Sequence, residues 1–177
     1  MSAVPGKAPA VKRRPQVETG RALLLEELGR LLTVEETLAR LVLPELLREL
    51  DDDGLTKVLS EHLDQTRDHV GNLKRAFLAL GAVPAGRPAY GLDGLRTEHG
   101  AEAPTVAPNL RAAVHVAAAM GTEHYEINAY EGAIRLAHAL GAEDVCGLLR
   151  ANLDQEVEAL QTLGREADRL AQLAVEQ

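Results

Sequence analysis

Six side chains able to bind protons or metals stand where helices should be apolar. His62 and His69, in the segment EHLDQTRDHVGNL, share a face with Leu55, Leu59, Leu73 and Phe77, with Thr66 between them. The steps of three and four trace one buried helical stripe. Glu123 and Glu126 lie three residues apart and fall on the face of Val116, Met120, Ile127, Tyr130 and Ile134. Glu156 interrupts the stripe Val145, Leu149, Asn152, Leu160, Leu163, Ala167 and Leu170. On the first helical stretch, Leu25, Leu28, Leu32, Ala39, Leu43 and Leu46 place Glu36 inward, with Glu35 as the competing position. Burying such groups unpaired is costly, so their recurrence on every long helix needs a reason.

Reflection about the turns brings these groups level. About the turn at residues 52 and 53, Glu36 falls opposite His69; about Gly141, Glu126 falls opposite Glu156. Four carboxylates gathered in one core cannot all ionise unaided. Two divalent cations would resolve the repulsion, and mixed carboxylate and imidazole donors suit iron or manganese, with zinc also compatible. Glu36, His62, His69, Glu123, Glu126 and Glu156 are therefore the expected metal ligands, in a centre of one or two ions. The competing reading keeps the same residues without metal, the carboxyls protonated or hydrogen-bonded to His62 and His69. The remaining polar residues read more plainly. Tyr125 and Tyr130 flank the glutamate pair as packed rings or as hydrogen-bond donors to the centre, and Asn152 supports Glu156 or packs at the core edge. His99, His115, His124 and His138 lack an inward phase and are expected at the surface or an interface.

The elements that must position these residues follow from the same periodicity. Residues 1–15 are rich in Pro, Gly and Lys and are expected to form a disordered basic tail, leaving 16–177 as one domain. A helical pattern runs from about Val17 to Leu50, with Pro44 set to kink or split it. DDDG, residues 51–54, is a turn with an N-cap signal. A second helix runs to Leu80 and stops at Gly81. The Pro- and Gly-rich stretch 82–108 is long for a loop and carries a short helix near Leu92 to Glu98. The third and fourth helices span about Asn109–Leu140 and Glu143–Ala174. Short, long and short connections between four long helices describe an all-α bundle of two antiparallel hairpins joined by a crossover.

Composition limits the functions. The 177 residues suffice for one domain with a real core. A net charge of −8 argues against general affinity for nucleic acid; the basic run VKRRP lies in the tail. A Dps-like DNA protector using that tail is the weakest of the functional readings. No run of apolar residues is long enough to span a membrane, and the N-terminus lacks the apolar core of a secretory signal. The single cysteine, Cys146, excludes an intrachain disulfide and is expected to be a structural thiol. A cytoplasmic location is expected. The leucines Leu23, Leu24 and Leu31 suggest a self-association surface.

Beside this reading, EHLDQTRDHVGNLKRAFLALG and AMGTEHYEINAYEGAIRLAHALGAEDVCGLLRANLDQEVEAL resemble the YciE/YciF-type ferritin-like proteins. VEETLARLVLPEL, with Glu36 ahead of Leu-Pro, and GLRTEHG in the crossover extend the resemblance to roughly residues 20–165. It implies a ferritin-like four-helix bundle, a homodimer or higher homo-oligomer, a link to bacterial stress responses, and a dinuclear iron or manganese centre. Ferroxidase or peroxide-detoxifying activity is the function it points to. Two positions depart from the family pattern: Gln65 stands where glutamate is common, and Leu160 where aspartate is common. Their loss of negative charge keeps a second outcome open, a non-catalytic dimeric stress or scaffold protein with a degenerate site.

Overall fold

The computed structural model describes residues 16–175, so the expected tail at 1–15 lies outside the described residues. Six α-helices follow in order: α1 Gly20–Thr37, α2 Leu43–Glu49, α3 Asp53–Ala79, α4 Tyr90–Glu102, α5 Arg111–Ala139 and α6 Glu143–Val175. Among the described residues there is no strand. α1 packs on α3 and α5, and α6 packs on the same two helices, closing a four-helix bundle. α4 lies in the crossover and packs on α5. Helix ends follow local chemistry. Thr19 Oγ1 accepts from Ala22 N at 3.1 Å and Asp52 Oδ1 from Leu55 N at 2.8 Å, capping α1 and α3. Gly81 (φ +63°) and Gly141 (φ +70°) turn the chain after α3 and α5 through the left-handed region.

Between α1 and α2 the helix does not break; it widens. Leu38–Val42 form a π-helical turn, with Leu43 N bonded to Leu38 O. The cause is Pro44, which has no N–H to give to Arg40 O and whose ring would strike that carbonyl in a tight turn. The wide turn shifts the helical phase. Buried positions run Leu24, Leu28, Leu31, Glu35 and Leu38, then jump five residues to Leu43 and on to Leu46. Extrapolating a regular helix backward from Leu43 selects Ala39 and Glu36 instead, which are only partly buried and one residue out of phase. Two sequence expectations are corrected by this shift. Glu35, not Glu36, points into the bundle. Leu24 and Leu31, offered as an outer surface, are core residues at 0% and 1% exposure, while Leu23 stays exposed.

The core has two apolar regions, one on each side of the polar cluster. One gathers Leu28, Leu73, Phe77, Ala137 and Leu149 at the Gly81 and Gly141 end. The other gathers Leu38, Leu43, Leu59, Leu92 and Leu163 around the crossover. Cys146 is fully buried in the first, and burial pushes its thiol pKa up, consistent with a structural thiol.

The crossover is tied to α1 where a glycine lets it approach. Arg87 N donates to Gly29 O at 2.8 Å and to Thr33 Oγ1 at 3.0 Å, and Arg87 Nε donates to Glu26 Oε1 at 2.7 Å. A Cβ on Gly29 would lie 2.7 Å from Ala85 O, a backbone atom that cannot rotate away. Gly29→Ala is therefore expected to destabilise the chain by about 1–3 kcal/mol despite alanine's better helix propensity. Urea unfolding of the two proteins checks this.

Candidate metal centre

Every long helix brings an ionisable group to one level. α1 contributes Glu35, α3 His62 and His69, α5 Glu123 and Glu126, and α6 Glu156; none is more than 3% exposed. His69 Nδ1 lies 2.8 Å from Glu156 Oε1 and 3.3 Å from Glu35 Oε1. His62 Nε2 lies 3.2 Å from Glu123 Oε1 and 3.9 Å from Glu156 Oε2. Two donor triads result, Glu35–His69–Glu156 and His62–Glu123–Glu156, each with ligand atoms within 4.8 Å of one another. Glu156 belongs to both. Glu126 lies among them with both oxygens buried and unpaired.

Of the six residues expected at the centre, five are in this cluster: His62, His69, Glu123, Glu126 and Glu156. Glu36 is not. Its carboxylate is 30% exposed and faces Lys74 Nζ at 2.9 Å and Arg40 at 3.5 Å. Thr66 is buried, but its hydroxyl donates to His62 O at 2.8 Å and is spent on the helix backbone.

The surrounding shell is polar and ordered. Tyr130 Oη donates a short hydrogen bond to Glu35 Oε1. Asn152 Nδ2 donates to Tyr130 Oη at 2.9 Å and to His69 O at 3.3 Å, while Asn152 Oδ1 accepts from Asn72 Nδ2 at 2.8 Å. Gln155 Oε1 lies 2.8 Å from His69 Nε2. An acceptor there holds the proton on Nε2 and leaves Nδ1 facing Glu35 and Glu156, as a ligating imidazole requires. Face periodicity did not reveal Gln155, because it approaches from beside the stripe rather than on it. The signal for Glu35 was present in Pro44, whose demand for a wider turn adds one residue to the helical count.

Tyr130 thus links Glu35 on α1 to Asn152 on α6. Tyr130→Phe removes one hydroxyl and strands both a carboxylate oxygen and an amide N–H in the core. A loss of about 1–3 kcal/mol is expected, measurable by denaturant unfolding of the metal-free protein.

Protonation is rearranged throughout the cluster. Burial opposes charge on His62 and His69, but the adjacent carboxylates outweigh it and lift their pKa values to about 9 and about 10. Burial raises Glu123 to about 8 and, helped by Glu156, Glu35 and Glu123, pushes Glu126 well above the carboxylate range. Burial also raises Glu35, with Glu156 adding to it. Glu156 goes the other way: burial disfavours its charge, but His69, Glu123 and His62 overcome that and lower its pKa. Metal-free, the cluster reaches approximate neutrality by keeping protons on both imidazoles and on some carboxyls.

Of the four remaining histidines, one departs from expectation. His115 is buried, not superficial, at 2% exposure, and its Nδ1 is 2.8 Å from His99 Nε2, a pairing that ties α4 to α5. His138 is exposed and pairs with Glu143 at 3.0 Å, and His124 is exposed.

Comparison with known proteins agrees with this architecture. A family model, the domain of unknown function DUF892, matches residues 19–176. The chain belongs to the DUF892 family. This is the YciF-type ferritin-like family that the motifs resemble. YcfI from Rhodopseudomonas palustris, described as a structural protein, is 31% identical, with a TM-score of 0.81, and the match covers 84% of this chain and 94% of YcfI. The Escherichia coli stress protein YciF matches at 23% identity and a TM-score of 0.81, over 88% of this chain and 98% of its own. A protein from Xanthomonas campestris matches at 16% identity and a TM-score of 0.72, over 89% and 97% of the two chains. The last two show the DUF892 fold alone. No curated protein matches the chain. Among the described residues, no helix is long and apolar enough to cross a membrane.

Proposed function

We propose that the DUF892 chain binds two divalent cations, Fe(II) or Mn(II), between its four long helices, and serves in oxidant handling as a ferroxidase or peroxide-consuming protein. One observation carries this reading. Every buried side-chain nitrogen or oxygen that lacks a hydrogen-bond partner among the described residues belongs to Glu35, His62, His69, Glu123, Glu126 or Glu156. Unpaired polar atoms are costly in a core, and here they are not scattered but converge on one place. The contact of His69 Nδ1 with Glu156 is short yet not aligned as a hydrogen bond. His69 Nδ1 and both oxygens of Glu156 are therefore left for a further partner.

The charges support two ions. Four ionised carboxylates and two neutral imidazoles are balanced by two divalent cations. The balance needs neither Gln65 nor Leu160 to be acidic, so the departures from the family motif do not by themselves remove a dinuclear site. Glu35, His69 and Glu156 would hold one ion, and His62, Glu123 and Glu156 the other, with Glu126 free to join either. When bound, such metals supply redox capacity and Lewis acidity. The chain's own contribution is to fix the His69 imidazole through Gln155, to hold Glu35 through Tyr130, and to flank the cluster with apolar layers above and below. The stress association of the Escherichia coli relative fits this role.

A scaffold role is the alternative, and the description of YcfI favours it. Anaerobic loading with Fe(II) or Mn(II), followed by metal analysis, separates the two. About two equivalents per chain are expected, with a raised Tm that follows metal concentration. Retention well below one equivalent of either metal, with an unchanged Tm, overturns the proposal.

A further inference from the structure

The metal-centre reading leaves one large feature unused. A cavity of about 330 Å³ opens beside the cluster, between the π turn, α2, α4 and α5. Its inner end is formed by His62 and Glu123, whose Nδ1 and Oε2 atoms are unpaired. Its walls are apolar, with Leu38, Leu43, Leu46, Leu92, Leu95 and Ala119 contributing from four elements. Dioxygen or peroxide needs no more room than one or two waters, each occupying about 30 Å³ in the liquid. The cavity is several times larger and falls within the size range of sites for organic molecules.

One lining group selects the chemistry. Arg96, on α4, is half-buried in the cavity wall and has no ion-pair or hydrogen-bond partner among the described residues. A half-buried guanidinium without an anion, set in an apolar wall, is a ready site for a carboxylate. Besides His62 and Glu123 at the inner end, the ionisable lining groups include Glu45 and Glu49 on α2, which are exposed and would repel a second negative charge. His99, also in the lining, is engaged with His115.

We infer that this cavity binds a small apolar monocarboxylate, its carboxylate on Arg96 and its apolar body running inward toward His62 and Glu123. That the inner end adjoins a metal centre rests on the metal-centre reading; the binding site itself does not. The wide turn forced by Pro44 thereby has a consequence beyond helix phase, because it forms one wall of the cavity.

Calorimetric titration of the full chain with octanoate, in metal-free and Mn(II)-loaded forms, tests this. Saturable one-to-one binding is expected in both. Octanol, lacking the charge, and suberate, carrying a second one, are expected to bind at least about 10-fold more weakly, as is octanoate to Arg96→Gln, since one lost charge-assisted contact is worth about 1.5–3 kcal/mol. Ala119→Phe should fill the cavity and abolish binding; Leu95→Trp, on the crossover wall, does the same if the first variant fails to fold. Equal binding of octanoate and octanol, or an unaffected Arg96→Gln variant, overturns the assignment, as does the absence of saturable binding to either form. Metal content measured on the same samples keeps the two readings apart. Octanoate binding without metal uptake leaves the cavity assignment standing alone, and metal uptake without octanoate binding leaves only the metal centre. A second copy of the chain covering the cavity would appear as octanoate binding that weakens with rising protein concentration, and that outcome also counts against the proposal.

Discussion

Glu156→Ala should empty both metal positions at once, while Glu36→Ala should empty neither. Glu156 is the one residue shared by the two triads, with Oε1 at 2.8 Å from His69 Nδ1 and Oε2 at 3.9 Å from His62 Nε2. Its pKa is lowered, so of the four buried carboxyls it is the one most ready to meet a cation without first losing a proton. Loss of a residue that merely supports a ligand costs about 10–100-fold in metal affinity; loss of a shared ligand should exceed that at both positions. Glu36 lies on the solvent side of α1 with Lys74 and Arg40. Its exposed ion pairs are worth little, and its removal should leave both metal content and stability close to the parent. Glu35→Ala completes the comparison, since it should reduce uptake at the His69 position and spare the His62 position. Metal analysis and manganese electron paramagnetic resonance on the three variants read the result. Equal metal content in Glu156→Ala and the parent would remove the cluster from consideration as a metal site.

Raising the pH should weaken the metal-free protein and strengthen its hold on metal. The folded pKa values of His62 and His69, about 9 and about 10, lie above the ordinary 6.5. Their contribution to stability is therefore complete below pH 6.5 and is lost as pH rises through 9 and 10. Glu123, raised from 4.5 to about 8, acts in the same direction: above pH 4.5 the unfolded chain sheds a proton that the folded chain keeps. Glu156 acts oppositely. Its lowered pKa gives stability above pH 4.5 that is lost on acidification. The metal-free Tm should accordingly be highest in mildly acidic solution and fall between pH 6 and pH 10. The fall should be readily measured, since about 1 kcal/mol already moves the Tm of a chain this size by about 2–4 °C. Metal binding displaces those same protons, so affinity should climb over the same interval. Scanning calorimetry with and without Mn(II) should show two curves that diverge as pH increases. A metal-free Tm that rises from pH 6 to pH 9 would contradict the protonation pattern described for the cluster.

The helical bundle and most of its centre are legible in the residue order. His62, Thr66 and His69 replace apolar residues in an otherwise regular stripe on α3, and Glu156 does so on α6. In both helices the buried set follows the 3.6-residue period closely, because no proline or wide turn disturbs the count. The glutamate pair on α5 is likewise readable from its spacing, and the glycines after α3 and α5 mark where each hairpin turns. The first helix resists this treatment. A five-residue step at Leu38–Leu43 lies hidden between two regular stripes, and whichever stripe is extended across it misplaces the other by one position. That single residue of phase separates Glu35, buried and bonded to Tyr130, from Glu36, which meets Lys74 at the surface.

Local order therefore determines which helices form, where they cap and turn, and which faces avoid water, since these depend on near neighbours along the chain. Only the packed structure decides the rest. It shows that Glu156 is common to two triads, that Gln155 meets His69 and Tyr130 meets Glu35, that His115 is buried against His99, and that a cavity whose lining includes Arg96 reaches the cluster. Each of these depends on distances between residues on different helices, and those distances are set by how the π turn, the crossover and the four long helices settle against one another.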